Sequence, residues 1–242
     1  MTTNDEQVYL STYNIKDFDV PLYSVDIAIY TLHEGQLKIL LVQRGDFPDK
    51  GKWSLPGGFV DLKEDTNIEI TARRKLLSKT GIHAPLLEQV ATQGNASRDP
   101  RGWSVTTLYM ALIPYEQTSD FVDSVADAQW WPMADAMNLE LAFDHQQLMQ
   151  QARERLKTKT AYTVLPLHVV KAPFSLTQLQ QAFELLMDKK LEKKSFRRRI
   201  ANAELLKEVG EGVPEGGKGR PAALYIPAPG SDQHLFIRAF AD

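Results

Sequence analysis

The sequence predicts an α+β chain built as two modules in series, and three observations carry that reading. Strand-like and helix-like segments alternate over roughly the first 150 positions of a chain of 242 residues. Two amphipathic helices and a glycine-rich hairpin come after them. The charge also divides: residues 1–158 hold 15 Lys and Arg against 22 Asp and Glu, whereas residues 159–242 hold 13 against 9. An acidic front and a basic back suit two modules, the second with a polyanion as partner. The expected division is residues 1–150, a helix end and linker at 151–173, and residues 174–242.

Composition removes several classes of chemistry. The chain has no cysteine, which excludes disulfides, thiolate catalysis and zinc–cysteine sites. Its five histidines are scattered without metal-ligand spacing, and no Ser/His/Asp arrangement can be argued. No metal site is expected. No apolar run is long enough to span a bilayer, and the first residues, MTTNDEQVYL, carry no secretory signal. The expectation is a cytoplasmic protein without a membrane partner.

Taken in order, Val25–Tyr30 and Leu37–Val42 read as strands joined by a turn at His33-Glu34-Gly35. Residues 53–60, WSLPGGFV, are strand and loop, where Pro-Gly-Gly lets backbone approach a ligand closely. Residues 66–79 read as a helix closed by Gly81. Strands are expected near 86–93 and 103–113, with the turn-rich NASRDPRG between them, then a helix within 134–157 and a connector at 162–173. Ser175 with Gln178 three residues on is a capping-box signature, and Leu176, Leu179, Phe183, Leu186 and Met187 recur at helical spacing behind it. A second helix is expected over roughly 193–208, with Phe196, Ile200, Ala203 and Leu206 on one face. Apolar runs at 205–209 and 222–226 then flank GEGVPEGGKGRP, residues 210–221. Helix, turn, helix and glycine-rich hairpin is the order of a winged helix-turn-helix.

The front module holds the more specific motif. Gly57-Gly58-Phe59-Val60 followed by RRKLLSKTGI, residues 73–82, resembles the signature of Nudix hydrolases, which cleave nucleoside diphosphates linked to another moiety. The resemblance extends through roughly residues 20–135 and implies an α/β/α sandwich. In that family, glutamates at i, i+3 and i+4 of the helix share one face and hold Mg²⁺ against a pyrophosphate. Here the family's arginine is Arg74 and its Gly-aliphatic close is Gly81-Ile82, but the three glutamate positions are Lys75, Ser78 and Lys79. Nine residues rather than seven separate Glu64 from Arg74, so alignment from the helix end puts Thr66 at the first glutamate position. Ammonium groups repel Mg²⁺ and attract phosphate. No catalytic residue is therefore assigned, and the pocket is expected to bind its ligand class without cutting it. Lys75 or Lys79 would supply the charge that the metal supplies in the enzymes. Arg44 at a strand end can clamp phosphate, and Trp53 or Phe59 can stack on a base. Arg98 and Arg101 resemble a loop that lies near the ligand in relatives handling ADP-ribose. With Gly57, Gly58 and Arg74, these form the expected binding set.

The back module reads as a basic head. Residues 189–199, KKLEKKSFRRR, hold seven basic side chains and one acid. At 100° per residue Phe196, Ile200 and Ala203 mark a buried stripe, with Lys194, Arg197 and Arg198 opposite, where a recognition helix meets a major groove. Lys193, Lys194, Ser195, Arg197, Arg198 and Arg199 are the candidate DNA contacts, joined at the hairpin tip by Lys218 and Arg220. The combination of both modules resembles the bacterial NrtR family of Nudix-related regulators of NAD metabolism. That resemblance implies a homodimeric repressor of NAD-synthesis or salvage genes on an inverted-repeat operator, released by ADP-ribose or a related metabolite, with no cofactor required. Two rivals stand beside it: an ADP-ribose pyrophosphohydrolase holding metal on Glu64, Asp65 and Glu69, and an RNA-binding protein, since a basic helix alone does not separate duplex DNA from RNA.

Overall fold

The computed structural model describes residues 4–81, 83–84, 86–115, 127–212, 221–237 and 239–240. The wing tip with Lys218 and Arg220, and Ile82, lie outside the described residues.

Strict alternation of side chains along the strands generates the front module. Strand β1 (Leu22–His33) sends Val25, Ile27 and Ile29 to one face and Asp26, Ala28 and Tyr30 to the other. Strand β2 (Gln36–Gln43) pairs antiparallel with it through a two-residue turn, Glu34-Gly35, with both residues at positive φ. Short strands β3 (Trp53–Ser54) and β4 (Gly57–Phe59) pair with β2 and β1. Helix α2 (Ile68–Thr80) follows the N-terminal helix α1 (Asn4–Thr12), then come β5 (Leu86–Asn95), β6 (Ser104–Leu112), β7 (Ala128–Pro132), the short α3 (Met133–Ala136) and α4 (His145–Thr160). Strands β1 and β6 run parallel; the other described pairings of this sheet are antiparallel. Helix α2 covers one face with Ala72 and Leu76, and α4 covers the other with Leu148, Met149, Ala152 and Leu156. The result is an α/β/α sandwich. Asp26, on the α4 side of β1, is thereby aimed at the start of α4.

Local signals set the ends of α2. Asn67 accepts from the Ile70 N–H at 3.0 Å, and Gly81 closes the helix at φ 73°. Strand β7, with Trp130 and Trp131, pairs with β2 and is not foreseen in the sequence reading.

The back module packs its own core of Leu179, Phe183, Phe196, Ile200 and Phe240. Helix α5 (Leu176–Met187) starts with both hydrogen bonds of a capping box. Helix α6 (Lys193–Asn202) is shorter than the periodicity suggests. Glu204 turns left-handed at φ 52°, and Leu206 opens strand β9 (Leu206–Gly212) instead of extending the helix. Cross-strand pairing with β10 (Ala222–Pro227) claims that apolar run, and the gain from pairing outweighs the helical spacing. Strand β8 (Phe174–Ser175) completes a three-stranded sheet in the order β8-β10-β9. Among the described residues no helix is long and apolar enough to cross a membrane.

Ser175→Ala removes the hydroxyl that accepts from the Gln178 N–H. It is expected to lower the unfolding free energy by about 1 kcal/mol, read from the urea midpoint at unchanged slope.

Candidate functional site

Three segments far apart in sequence meet around a cavity of about 230 Å³. They are the Pro-Gly-Gly turn, the loop between β5 and β6, and the first turn of α4. Its wall carries four cations, Arg44, Lys79, Arg98 and Arg101, against two carboxylates, Asp26 and Asp99. That surplus suits an anionic ligand.

Glycine is required where the turn meets the strand. A Cβ on Gly57 would fall on the Val25 carbonyl oxygen and Asp26 Oδ1. Gly58 sits at φ 147°, and a Cβ there would lie 2.8 Å from Lys75 Nζ. The backbone thus forms the wall itself. The two lysines of α2 diverge. Lys79 reaches the cavity and pairs with Asp127 at 2.9 Å, whereas Lys75 ends against Gly58 and is not among the lining residues. Burial, and secondarily the Arg74 charge, pulls the Lys75 pKa down.

The arginines differ in what holds them. Arg98 is buried and grips Asp144 side-on, Nε and Nη2 each 3.0 Å from a carboxylate oxygen, with Asp26 at 3.6 Å and Ser104 Oγ at 3.3 Å. Arg101 pairs with Asp99 at 2.7 Å and lies 5.0 Å from the Phe59 ring centroid. Arg44 donates to the Pro48 carbonyl and stacks 4.5 Å over Phe143. Two guanidinium–aromatic pairs therefore flank the cavity, and Phe59, 41% exposed, stands at its edge.

Arg74 and Trp53 are not among the lining residues. Arg74 grips Asp65 at 2.8 and 2.6 Å, and this hydrogen bonding holds the Asp65 carboxyl well below the usual range. Trp53 packs edge-on to Trp131 with centroids 5.4 Å apart. Of the other acids beside α2, Glu69 is paired with Arg73 at 2.7 Å. No group of three His, Asp or Glu side chains among the described residues is placed to hold a metal ion.

Sequence reasoning missed Asp26, Asp99, Phe143, Asp144 and His145. Asp26 left a trace, as a carboxylate inside the apolar run VDIAIY. Asp99 works within its own loop, as the partner of Arg101 two residues on; Phe143, Asp144 and His145 left no trace, because their role depends on where α4 docks. His145 Nδ1 accepts from the Leu55 N–H at 2.9 Å, which assigns the proton of the neutral ring to Nε2, 3.6 Å from Asp26 Oδ1. Burial lowers its pKa, against the opposing pull of Asp26 and Asp144.

On the back module Lys193, Lys194, Arg197 and Arg198 are exposed on α6, and Ser195 is half-buried. Glu192 caps this helix, accepting from the N–H groups of Lys194 and Ser195. Arg199 turns inward: it donates to the Ala239 carbonyl at 2.8 Å and stacks 4.8 Å over Phe240.

Comparison with known proteins fits both halves. Residues 22–152 match the NUDIX domain family, and residues 166–226 match the NrtR DNA-binding winged helix domain. The ADPR responsive transcriptional repressor NtrR of Acinetobacter baylyi is 47% identical over 222 residues, 92% of this chain and 88% of that protein. The chain belongs to the NrtR family. Among solved structures, Shewanella oneidensis NrtR complexed with a 27mer DNA has a TM-score of 0.84 at 45% identity, covering 90% of this chain and 98% of that one. The NUDIX domain of the same Shewanella protein, complexed with ADP ribose, has a TM-score of 0.57 at 49% identity, covering 64% of this chain and 99% of that one.

The His145 pKa gives a pH signature. Its folded value lies below the unfolded 6.5, so its contribution is complete above 6.5 and is lost as pH falls through the folded value. Stability measured by urea denaturation is expected to fall as the pH drops below 6.5, with a shallower fall in His145→Gln. Half-buried His168 shifts the same way and keeps the remaining slope. A His145 titration midpoint above 6.5 by NMR would contradict this.

Proposed function

We propose that this chain is an effector-responsive transcriptional repressor of NAD-synthesis or salvage genes, and that it cuts no pyrophosphate. ADP-ribose, or a related NAD metabolite, occupies the front cavity, and the winged helix module binds duplex operator DNA. Ligand binding then releases the DNA, because the two ligands favour different conformations. The observation that carries the reading is the pairing, in one chain, of a cationic cavity with an exposed basic helix. A family member 45% identical is known in complex with a 27mer DNA, and its NUDIX domain with ADP ribose.

Residues 1–150 serve as the effector module, residues 151–173 as helix end and linker, and residues 174–242 as the reading head. Within the cavity, Arg44, Arg98, Arg101 and Lys79 meet the phosphates, the Gly57-Gly58 backbone lets them close in, and Phe59 stacks on the base. Lys75 adds charge behind Gly58, while Arg74 and Trp53 support the wall. Lys75, Ser78 and Lys79 stand at the positions where the resemblance places metal-binding glutamates. Of the hydrolase rival's acids, Asp65 and Glu69 are paired with Arg74 and Arg73, which argues against their sharing a metal with Glu64. Arg197 and Arg198 read base edges, Lys193, Lys194 and Ser195 meet phosphate, and Lys218 and Arg220 add contacts to backbone or minor groove; Arg199 braces the head from inside. The protein acts as a cytoplasmic homodimer on an inverted repeat, with half-site spacing set by the two subunits.

The test is fluorescence anisotropy on promoter DNA of NAD-pathway genes, with RNA of the same sequence as competitor. Arg197→Ala and Arg198→Ala should each weaken duplex binding by about tenfold and leave ADP-ribose affinity unchanged. Undiminished DNA affinity in both variants would overturn the assignment of α6.

A further inference from the structure

Helix α4 is anchored to the cavity at its start and to the reading head through Arg153, Lys157 and the residues after its end. At its start, Phe143 is held in a left-handed conformation, φ 52°, by the Asp49 carboxylate accepting its N–H at 3.0 Å. Asp144 is gripped by Arg98, and His145 is tied to the Leu55 backbone. The body is rigid: Leu148, Met149, Ala152 and Leu156 are fully buried. Sixteen residues make a rod of about 24 Å.

Two joints connect this rod to the reading head. Arg153 donates to the carbonyls of Leu186 at 2.6 Å and Leu185 at 3.5 Å, in the last turn of α5. No carboxylate lies within salt-bridge distance of it among the described residues, so its charge rests on the negative end of that helix. Lys157 adds a contact to Asp188, the C-cap of α5, at 3.6 Å. Beyond the end of α4, the Ala161 and Tyr162 carbonyls accept from the N–H groups of Phe240 and Phe236 at 2.7 and 2.8 Å. The same tail segment receives Arg199 of α6 at the Ala239 carbonyl.

The cavity must also change on binding. At about 230 Å³ it is smaller than the ~300–1,000 Å³ usual for small-molecule sites. Phe143 and the Arg98–Asp144 pair form part of what closes it. Resting on the function proposed above, we propose that α4 is the transmission element and Arg153 its coupling residue. The ligand's phosphate competes with Asp144 for Arg98, the first turn of α4 shifts, and Arg153 passes the shift to the C-terminal end of α5. The α5–α6 unit then no longer fits both half-sites.

The experiment uses the full chain and measures three quantities for each variant: ADP-ribose affinity by calorimetry, promoter-DNA affinity by anisotropy, and DNA affinity at saturating ADP-ribose. In the wild type, ADP-ribose should weaken DNA binding by about tenfold or more. Arg153→Met should keep both separate affinities within about threefold and cut the ligand's effect on DNA binding to below about threefold. Arg153→Lys, which keeps a cation and one donor, should give an intermediate effect and stands in if the Met variant does not fold. Release as strong as wild type in the folded variants would overturn the proposal. So would loss of either separate affinity in a folded variant, which would mark Arg153 as merely structural. A wild type whose DNA binding ignores ADP-ribose would instead sink the function itself, whatever Arg153 does.

Discussion

A guanidinium removed from water has to be neutralised, and the neutralisation of Arg98 ties the cavity wall to the sheet and to the start of α4. The carboxylates come from two elements: Asp26 from the centre of the sheet and Asp144 from the start of α4. An unpaired buried ion costs several kcal/mol, so the docking of α4 that buries Leu148, Met149, Ala152 and Leu156 is reinforced where Asp144 reaches Arg98. That docking sets the ring of the left-handed Phe143 beneath Arg44. It also brings His145 against Leu55, next to the Pro-Gly-Gly turn. Cavity wall and helix position are one constraint, and in the proposed account the ligand acts on both at once.

The charges around α2 follow a second logic. Arginines take up the acids: Arg74 holds Asp65, Arg73 holds Glu69 and Arg101 holds Asp99. Lys79 is paired with the half-exposed Asp127, and this hold, like that of the exposed Arg73–Glu69 pair, is weak in solvent. A phosphate with two or more charges can compete for that ammonium and for Arg101 at the cavity edge. In the proposed reading this is how a fold associated with metal-assisted cleavage becomes a sensor: fixed cations replace bound ones, and no nucleophile is activated.

The parts of the fold legible in the sequence are those governed by neighbours along the chain. The Glu34-Gly35 turn, the Gly81 close of α2, and the Ser175–Gln178 box are each decided within a few residues, and each forms. Leu206 shows the limit. Its helical spacing from Phe196 and Ile200 is real, but pairing with β10 decides its conformation from some twenty residues away. The cavity divides the same way. Gly57, Gly58 and the arginine loop announce themselves by type, whereas Asp26, Phe143, Asp144 and His145 meet only after the sheet and α4 have packed. Arg199 belongs to a run that reads as uniformly solvent-facing, and only the Phe240 tail draws it inward.

The most direct measurement of the charge exchange is ADP-ribose calorimetry on the purified chain, in EDTA and then in excess Mg²⁺, with phosphate release followed in the same samples. Fixed cations predict the same affinity within about twofold in both and no turnover, together with weakened binding in Lys79→Glu, where about 1.4 kcal/mol corresponds to tenfold. Binding that vanishes in EDTA, or steady hydrolysis in Mg²⁺, would show that a metal still does the work assigned to the lysines.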